Sequence, residues 1–220
     1  MFKNYFIIAL RNLWKNRTFT ALNVVGLTVA FGVALLLGMF AVFQLSFDRF
    51  HDHGDAIYKV YSEDSGPYGI EANTSKSEPF AAALRDEVTG VEKITRYSGS
   101  GVLLTYQDKQ LGMGTAYVDP DFFDMFSFPI VKGDTKNPIT SESSVAMTEQ
   151  AAKRIFGDEN PIGQTVTILR AEEEVPFNVT AIIEDFPDTS SIGFDIVLNF
   201  KSQNEHAYAR TVGRWDMENH

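Results

Sequence analysis

The sequence predicts an α+β domain held outside a membrane behind one membrane-crossing helix. Residues Thr18 to Phe47 contain no charged side chain. Basic residues precede that run and a strongly acidic stretch follows it. Beyond it, short strand-like and helix-like segments alternate at a density that fits a mixed α+β domain rather than a doubly wound sheet.

The span comes first because it fixes what surrounds it. At ~1.5 Å per residue, about 20 apolar residues cross ~30 Å of hydrocarbon, so the run from Asn23 to Phe47 crosses with some tilt to spare. Gly26, Gly32 and Gly38 would weaken a helix in water but are common in membrane helices, where small residues let neighbours approach. Their spacing does not make one dimerisation stripe. Lys3, Arg11, Lys15 and Arg17 precede the span without an acidic residue, whereas 48–220 hold 15 basic and 29 acidic residues, a net −14. Basic flanks stay in the cytoplasm, which places 48–220 on the other side. A cleavable signal peptide shares the charge pattern, but its apolar core is usually roughly 7–15 residues long and ends at an A-x-A-like site, which is missing here.

Composition bounds the rest. With 220 residues, 44% hydrophobic and 13% aromatic, the chain can build one sizeable domain beside the helix. The sequence has no cysteine, so disulfides and thiolate chemistry are excluded. A net charge of −10 argues against nucleic acid as a partner. The expected organisation is an interfacial helix over 1–18, a transmembrane helix over 19–47 and an extracytoplasmic domain over 48–220.

Phe2, Phe6, Leu10, Leu13 and Trp14 recur at spacings of three and four, with Lys3, Arg11 and Lys15 largely off that stripe. This predicts a helix lying in the cytoplasmic interface, its cations, together with Arg17, near anionic headgroups. Membrane lipid is therefore an expected partner.

After the span, Asp48, Arg49, His51, Asp52, His53 and Asp55 form a polar knot. Imidazoles and carboxylates are metal ligands, but His51 and His53 are two apart and no third group follows at a recognisable spacing. Capping and interfacial solvation are expected instead, with no metal and no cofactor. Ile57, Val60 and Tyr61 are expected to begin an apolar strand anchored in the core. Asp48, Arg49, Ile57 and Tyr58 thus define the membrane-exit junction, a short ordered connection without a Ser- or Pro-rich linker.

Ser77 to Gly90 reads as a helix, with a Ser cap, Phe80, Leu84 and Val88 on one face, and a terminal Gly. Residues 91–97, 102–107 and 111–118 read as strands. Val145 to Gly157 runs from a strand into a Thr-capped helix with Ala151, Ala152, Ile155 and Phe156 on one face. Residues 166–169, 177–184 and 194–200 supply further strands. Phe122, Phe123, Phe126 and Phe128 form an aromatic block expected to plug the core, each buried ring removing ~150–250 Å² from water. An exposed patch gripping an apolar substrate or partner is the alternative reading of that block.

Four phrases together resemble the extracytoplasmic core domain of MacB-type and FtsX-like ABC transporter permeases. They are DRFHDHGDAIYKVYSED after the span, VDPDFFDMFSFPIVKGD from Val118, SSVAMTEQAAKRIFGDENPIGQTV from Ser143, and VTAIIEDFPDTSSIGFD from Val179. The resemblance covers nearly the whole chain. It implies an exported domain of two mixed subdomains, then three further spans. Because the chain stops at His220 before any second span, a fragment or truncated gene product is expected. The resemblance also implies a cytoplasmic ABC ATPase partner, a dimer with a like permease, and an extracytoplasmic partner protein.

No catalytic residues are expected. GDENPIGQT, from Gly157, has the outline of a phosphate loop but five residues between its glycines and Gln164 where lysine is required. HExxH and GxSxG motifs are absent. The leading functional reading is a non-catalytic permease subunit, or its N-terminal piece, that couples ATP hydrolysis on a partner to movement of the exported domain for efflux, extraction or signalling. The alternative is a membrane-anchored extracytoplasmic binding or sensor domain. On the leading reading, a flexible insertion between His53 and Gly54 should lower transport while sparing ATP hydrolysis.

Overall fold

The structure, a computed structural model, describes residues 2–66, 69–74, 76, 79–170 and 173–203. The chain divides into two compact units, 1–47 and 48–220.

The first unit is two helices, α1 (Phe2–Lys15) and α2 (Arg17–Gln44). They are separated at Asn16, whose ψ of 41° leaves the helical region. The amide of Asn16 still donates to the Asn12 carbonyl at 3.1 Å, and the Thr20 hydroxyl reaches back to the Leu13 carbonyl at 3.1 Å. Over its most apolar stretch α2 has a mean hydropathy of 2.4, and none of its 28 residues is buried. That combination is what a lipid-facing span requires, since a soluble core helix would be covered by protein. A Cβ at Gly26, Gly32 or Gly38 would meet open space, so nothing among the described residues uses their smallness. In α1, Phe6 and Trp14 are 67% and 78% exposed, and Leu10 and Leu13 are exposed beside them.

The second unit holds two sheets. One is the hairpin β1 (Ser62–Gly66) and β2 (Gly69–Asn73), followed by the short helix α3 (Phe80–Glu87). The other has seven strands: β3 (Tyr97–Tyr106), β4 (Lys109–Val118), β5 (Ile130–Gly133), β6 (Ser144–Thr148), β7 (Thr165–Arg170), β8 (Glu173–Ile183) and β9 (Ile196–Asn199). Helix α4 (Phe122–Met125) precedes β5, and α5 (Glu149–Phe156) follows β6. The strand order is β5-β8-β6-β9-β4-β3-β7, and β7 pairs again with β8. The sheet therefore curls back on itself through the long β8. Residues 173–178 of β8 pair with β7, and 178–183 run parallel to β6.

Alternation gives this sheet two buried faces. Met113, Tyr117, Val145, Met147, Ile196 and Leu198 pack with α5 on one side, while Ala116, Val118, Ala146 and Val197 join Phe122, Phe128, Ile139 and Phe194 on the other. Strand β8 serves both faces through a bulge. Val145 opposes Val179 but Ala146 opposes Ala181, so Thr180 is an extra residue and the side-chain parity flips there. The Thr180 hydroxyl reaches the carbonyls of Pro138 and Val145. Gly133, at φ +93°, lies against this bulge, and a Cβ there would fall inside the Thr180 carbonyl. Only glycine fits.

Helix α5 follows its sequence pattern closely. The Thr148 hydroxyl accepts from the Ala151 amide at 3.2 Å, Ala151, Ala152, Ile155 and Phe156 are buried, and Gly157 ends the helix at φ +65°.

Three stretches differ from expectation. Residues 57–61 form no strand: Tyr58 is 83% and Tyr61 56% exposed, Val60 is exposed and Ile57 half-buried. Among the described residues no strand pairs with this stretch. Strand β1 starts at Ser62 and pairs with β2, while the centre of the large sheet is filled by β4, β6, β8 and β9. Residues 91–96 form no regular strand, and β3 begins only at Tyr97. Helix α3 is shorter than 77–90, because Val88 turns extended at ψ 116°. The Ser77 cap expected for it lies outside the described residues. Hairpin β1–β2, helix α4 and strand β5 are elements that sequence patterning did not single out.

Candidate functional site

The segment that follows α2 is fastened into the second unit by its polar residues. Asp48 adopts φ +56°, a left-handed conformation that aspartate tolerates better than most residues. Its amide donates to the Thr189 carbonyl at 2.9 Å and its Oδ1 accepts from the Ser191 amide at 2.8 Å. Three residues on, the chain meets the loop after α4. The Ser127 amide donates to His51 Nδ1 at 3.2 Å, and the Asp52 amide donates to the Ser127 Oγ at 3.0 Å. Residues 48–52 are thus held at two points of the fold that lie 75 to 143 residues away in sequence. We call this arrangement the exit clamp.

Aromatic packing backs it. Phe50 lies 5.9 Å from Phe128, and the His51 ring lies 5.2 Å from both Phe126 and Phe128. Behind them Phe122, fully buried, is 4.7 Å from Phe126, 5.4 Å from Phe123 and 5.6 Å from Phe128. Phe186 and Phe194 extend the cluster at 5.0 and 6.1 Å from Phe128. Tilted and edge-to-face pairs at these distances each add about 0.5–1.5 kcal/mol beyond the area they bury. The cluster therefore forms a stiff seat for residues 50 and 51.

The seat is fixed to the sheet at its start. Arg96 grips Asp119 through two donors, Nε to Oδ2 at 2.8 Å and an Nη to Oδ1 at 2.6 Å, while its amide donates to Oδ2 at 2.9 Å. The Arg96 guanidinium also lies 4.0 Å over the Phe200 ring. Asp119 in turn accepts the Phe122 amide on its carbonyl at 3.0 Å, which sets the first turn of α4. A two-donor fork of this kind fixes geometry as well as charge.

His51 is 7% exposed, and burial lowers its pKa below the ordinary 6.5, with the carboxylates of Asp48 and Asp52 pulling the other way. Among the described residues no three His, Cys, Asp or Glu side chains converge as metal ligands. His53, Asp52 and Asp55 are exposed, and Asp48 is committed to Ser191. What the site offers is adhesion through hydrogen bonds and ring packing.

Of the residues that the sequence reading placed at the exit junction, Asp48 sits in the clamp, Arg49 is exposed, and Ile57 and Tyr58 lie outside it. The four phenylalanines of the 122–128 block come together, with Phe122 and Phe128 buried and Phe123 and Phe126 half-buried. Lys3, Arg11, Trp14, Lys15 and Arg17 are all exposed on the first unit. Sequence reasoning missed Phe50, His51, Ser127, Thr189 and Ser191 as clamp residues. Phe50 and Phe186 flank polar runs, and that interruption of a polar stretch by a lone ring was the available signal.

Among curated protein sequences, none matches this chain. The model of the MacB-like periplasmic core domain family matches residues 20–216. The chain belongs to that family. Among solved structures, a domain described as that of a permease protein from Porphyromonas gingivalis is similar at 23% identity and a TM-score of 0.57. The match covers 66% of this chain and 65% of that one. The extracellular domain of the noncanonic ABC-type transporter YknZ from Gram-positive bacteria is similar at 15% identity and a TM-score of 0.50, over 62% and 68%. The periplasmic region of MacB from Actinobacillus actinomycetemcomitans matches at 20% identity and a TM-score of 0.45, over 58% and 56%. The chain therefore spans less than two thirds of the Porphyromonas gingivalis domain and of the Actinobacillus periplasmic region. Among the described residues the chain carries one helix long and apolar enough to cross a membrane, ahead of most of that family's domain.

Proposed function

We propose that this chain is the N-terminal span and exported core of a non-catalytic permease subunit, and that movement driven by a cytoplasmic ABC ATPase reaches the exported domain through the exit clamp. The observation that carries the proposal is the clamp itself. It begins at the first residue after the uncharged run and joins residues 48–52 to two distant loops by specific hydrogen bonds. A connection of that kind transmits displacement, whereas a floppy tether dissipates it. In this reading the N-terminal helix lies at the cytoplasmic face with Lys3, Arg11, Lys15 and Arg17 near lipid headgroups, residues 48–220 stand outside, and two like permeases pair. An extracytoplasmic partner protein would engage the exported domain.

The clamp moves the decisive insertion. A flexible segment between His53 and Gly54, where the sequence alone placed it, falls beyond the residues that are held and leaves the clamp intact. Placed between Phe47 and Asp48 in the full-length permease with its ATPase, a Gly/Ser segment should abolish transport-linked function while ATP hydrolysis and membrane insertion persist. The same segment after His53 should have the smaller effect. A tethered binding or sensor domain would tolerate both insertions alike, and that outcome would overturn the coupling proposal.

A further inference from the structure

Among the described residues, His51 is the one buried side chain that titrates near neutral pH. Its Nδ1 accepts from the Ser127 amide at 3.2 Å, so the neutral ring carries its proton on Nε2. Nε2 is buried without a hydrogen-bond partner. Ser127 is also the acceptor for the Asp52 amide, so both contacts on this side of the clamp pass through one residue. We propose that His51 is a proton-operated latch, fastening residues 51 and 52 to Ser127 when neutral and releasing them when protonated.

The chemistry of the bond requires this. A second proton on the ring goes to Nδ1, where it faces the Ser127 N–H, and two donors cannot share a hydrogen bond. The imidazolium would also sit among Phe50, Phe126 and Phe128, away from water. The charges that act on His51 are the carboxylates of Asp48 and Asp52 in its own segment, which favour the proton, while burial disfavours it more. The packed elements add little. In α4, Asp124 pairs with Lys93 at 2.7 Å, and in the 184–195 loop Asp185 accepts the Gln150 amide while Asp188 is exposed. Arg49 and His53, on either side, are exposed.

The sign follows from the lowered pKa. A released His51 takes its proton near the ordinary 6.5, and the latched form only at lower pH. The latch is at full strength above that ordinary value and weakens as the pH falls from there toward the latched value. An exported domain meets the pH of the medium, so acidification would loosen the exit clamp.

The test is amide hydrogen exchange on the full chain in lipid nanodiscs, corrected for the intrinsic rate, between about pH 7.5 and about pH 5.5, alongside an NMR titration of the His51 ring. On acidification the Ser127 and Asp52 amides should lose about ten-fold or more of their protection, while Met147 in β6 keeps its own. That loss should set in near the ordinary imidazole value and level off where the latched ring titrates. In His51→Asn, whose Oδ1 can accept from Ser127 without titrating, protection should not change with pH, and His53→Asn should behave as the parent chain. Flat protection in the parent, a loss that continues below the pH at which the latched ring titrates, or an unchanged pH response in His51→Asn would each overturn the latch. The latch rests on the clamp geometry alone, so its failure leaves the coupling proposal to the insertion experiment.

Discussion

Residues 48–52 and 57–61 are neighbours in the chain and opposites in the fold. The first, DRFHD, is mostly polar, and yet Asp48, His51 and Asp52 are tied to residues 127, 189 and 191. The second, IYKVY, has strand-like apolar residues, and yet Tyr58 is 83% exposed. Burial is thus decided by whether a partner surface is available, and polar residues hold a junction where each donor finds its acceptor. On the coupling proposal, the mechanical role belongs to the stretch that is bonded, not to the one that is hydrophobic.

The contrast can be broken by mutation. Phe128 touches both Phe50 and His51 as well as Phe122, and is 6% exposed. Phe128→Ala should destabilise the exported domain by about 3–5 kcal/mol in urea unfolding of the full chain, through the cavity it leaves. Asp48→Ala loses the acceptor for the Ser191 amide and places alanine at a left-handed φ. A cost of about 1–2 kcal/mol is expected from those two effects. Tyr58→Ala should stay within about 0.5 kcal/mol, as for an exposed site without special contacts. Were Tyr58→Ala to match Phe128→Ala, the assignment of the junction to residues 48–52 would fail.

What was legible in the sequence is what depends on local chemistry. The Thr148 cap, the buried face of α5 and the stop at Gly157 are each set within a turn or two of the residue that encodes them. The α+β character and the uncharged span were legible for the same reason. Long-range choices were not. Closure of the sheet through β8 depends on its pairing with β7, and the Thr180 bulge is visible only against β6. The aromatic block was legible as a cluster, because four rings within seven residues must meet something. That it seats His51 was not, since the hydrogen bond spans 76 residues of sequence.

After Phe47 the chain is fastened at 48–52 and exposed at 58–61. Residue-resolved hydrogen exchange on the full chain in lipid, at a pH where His51 is neutral, tests it most directly. The Asp48 and Asp52 amides, bonded to the Thr189 carbonyl and the Ser127 hydroxyl, should be protected at least about 100-fold more than the amides of Tyr58 to Tyr61. Equal exchange across the two stretches, or stronger protection at 58–61, would contradict the exit clamp.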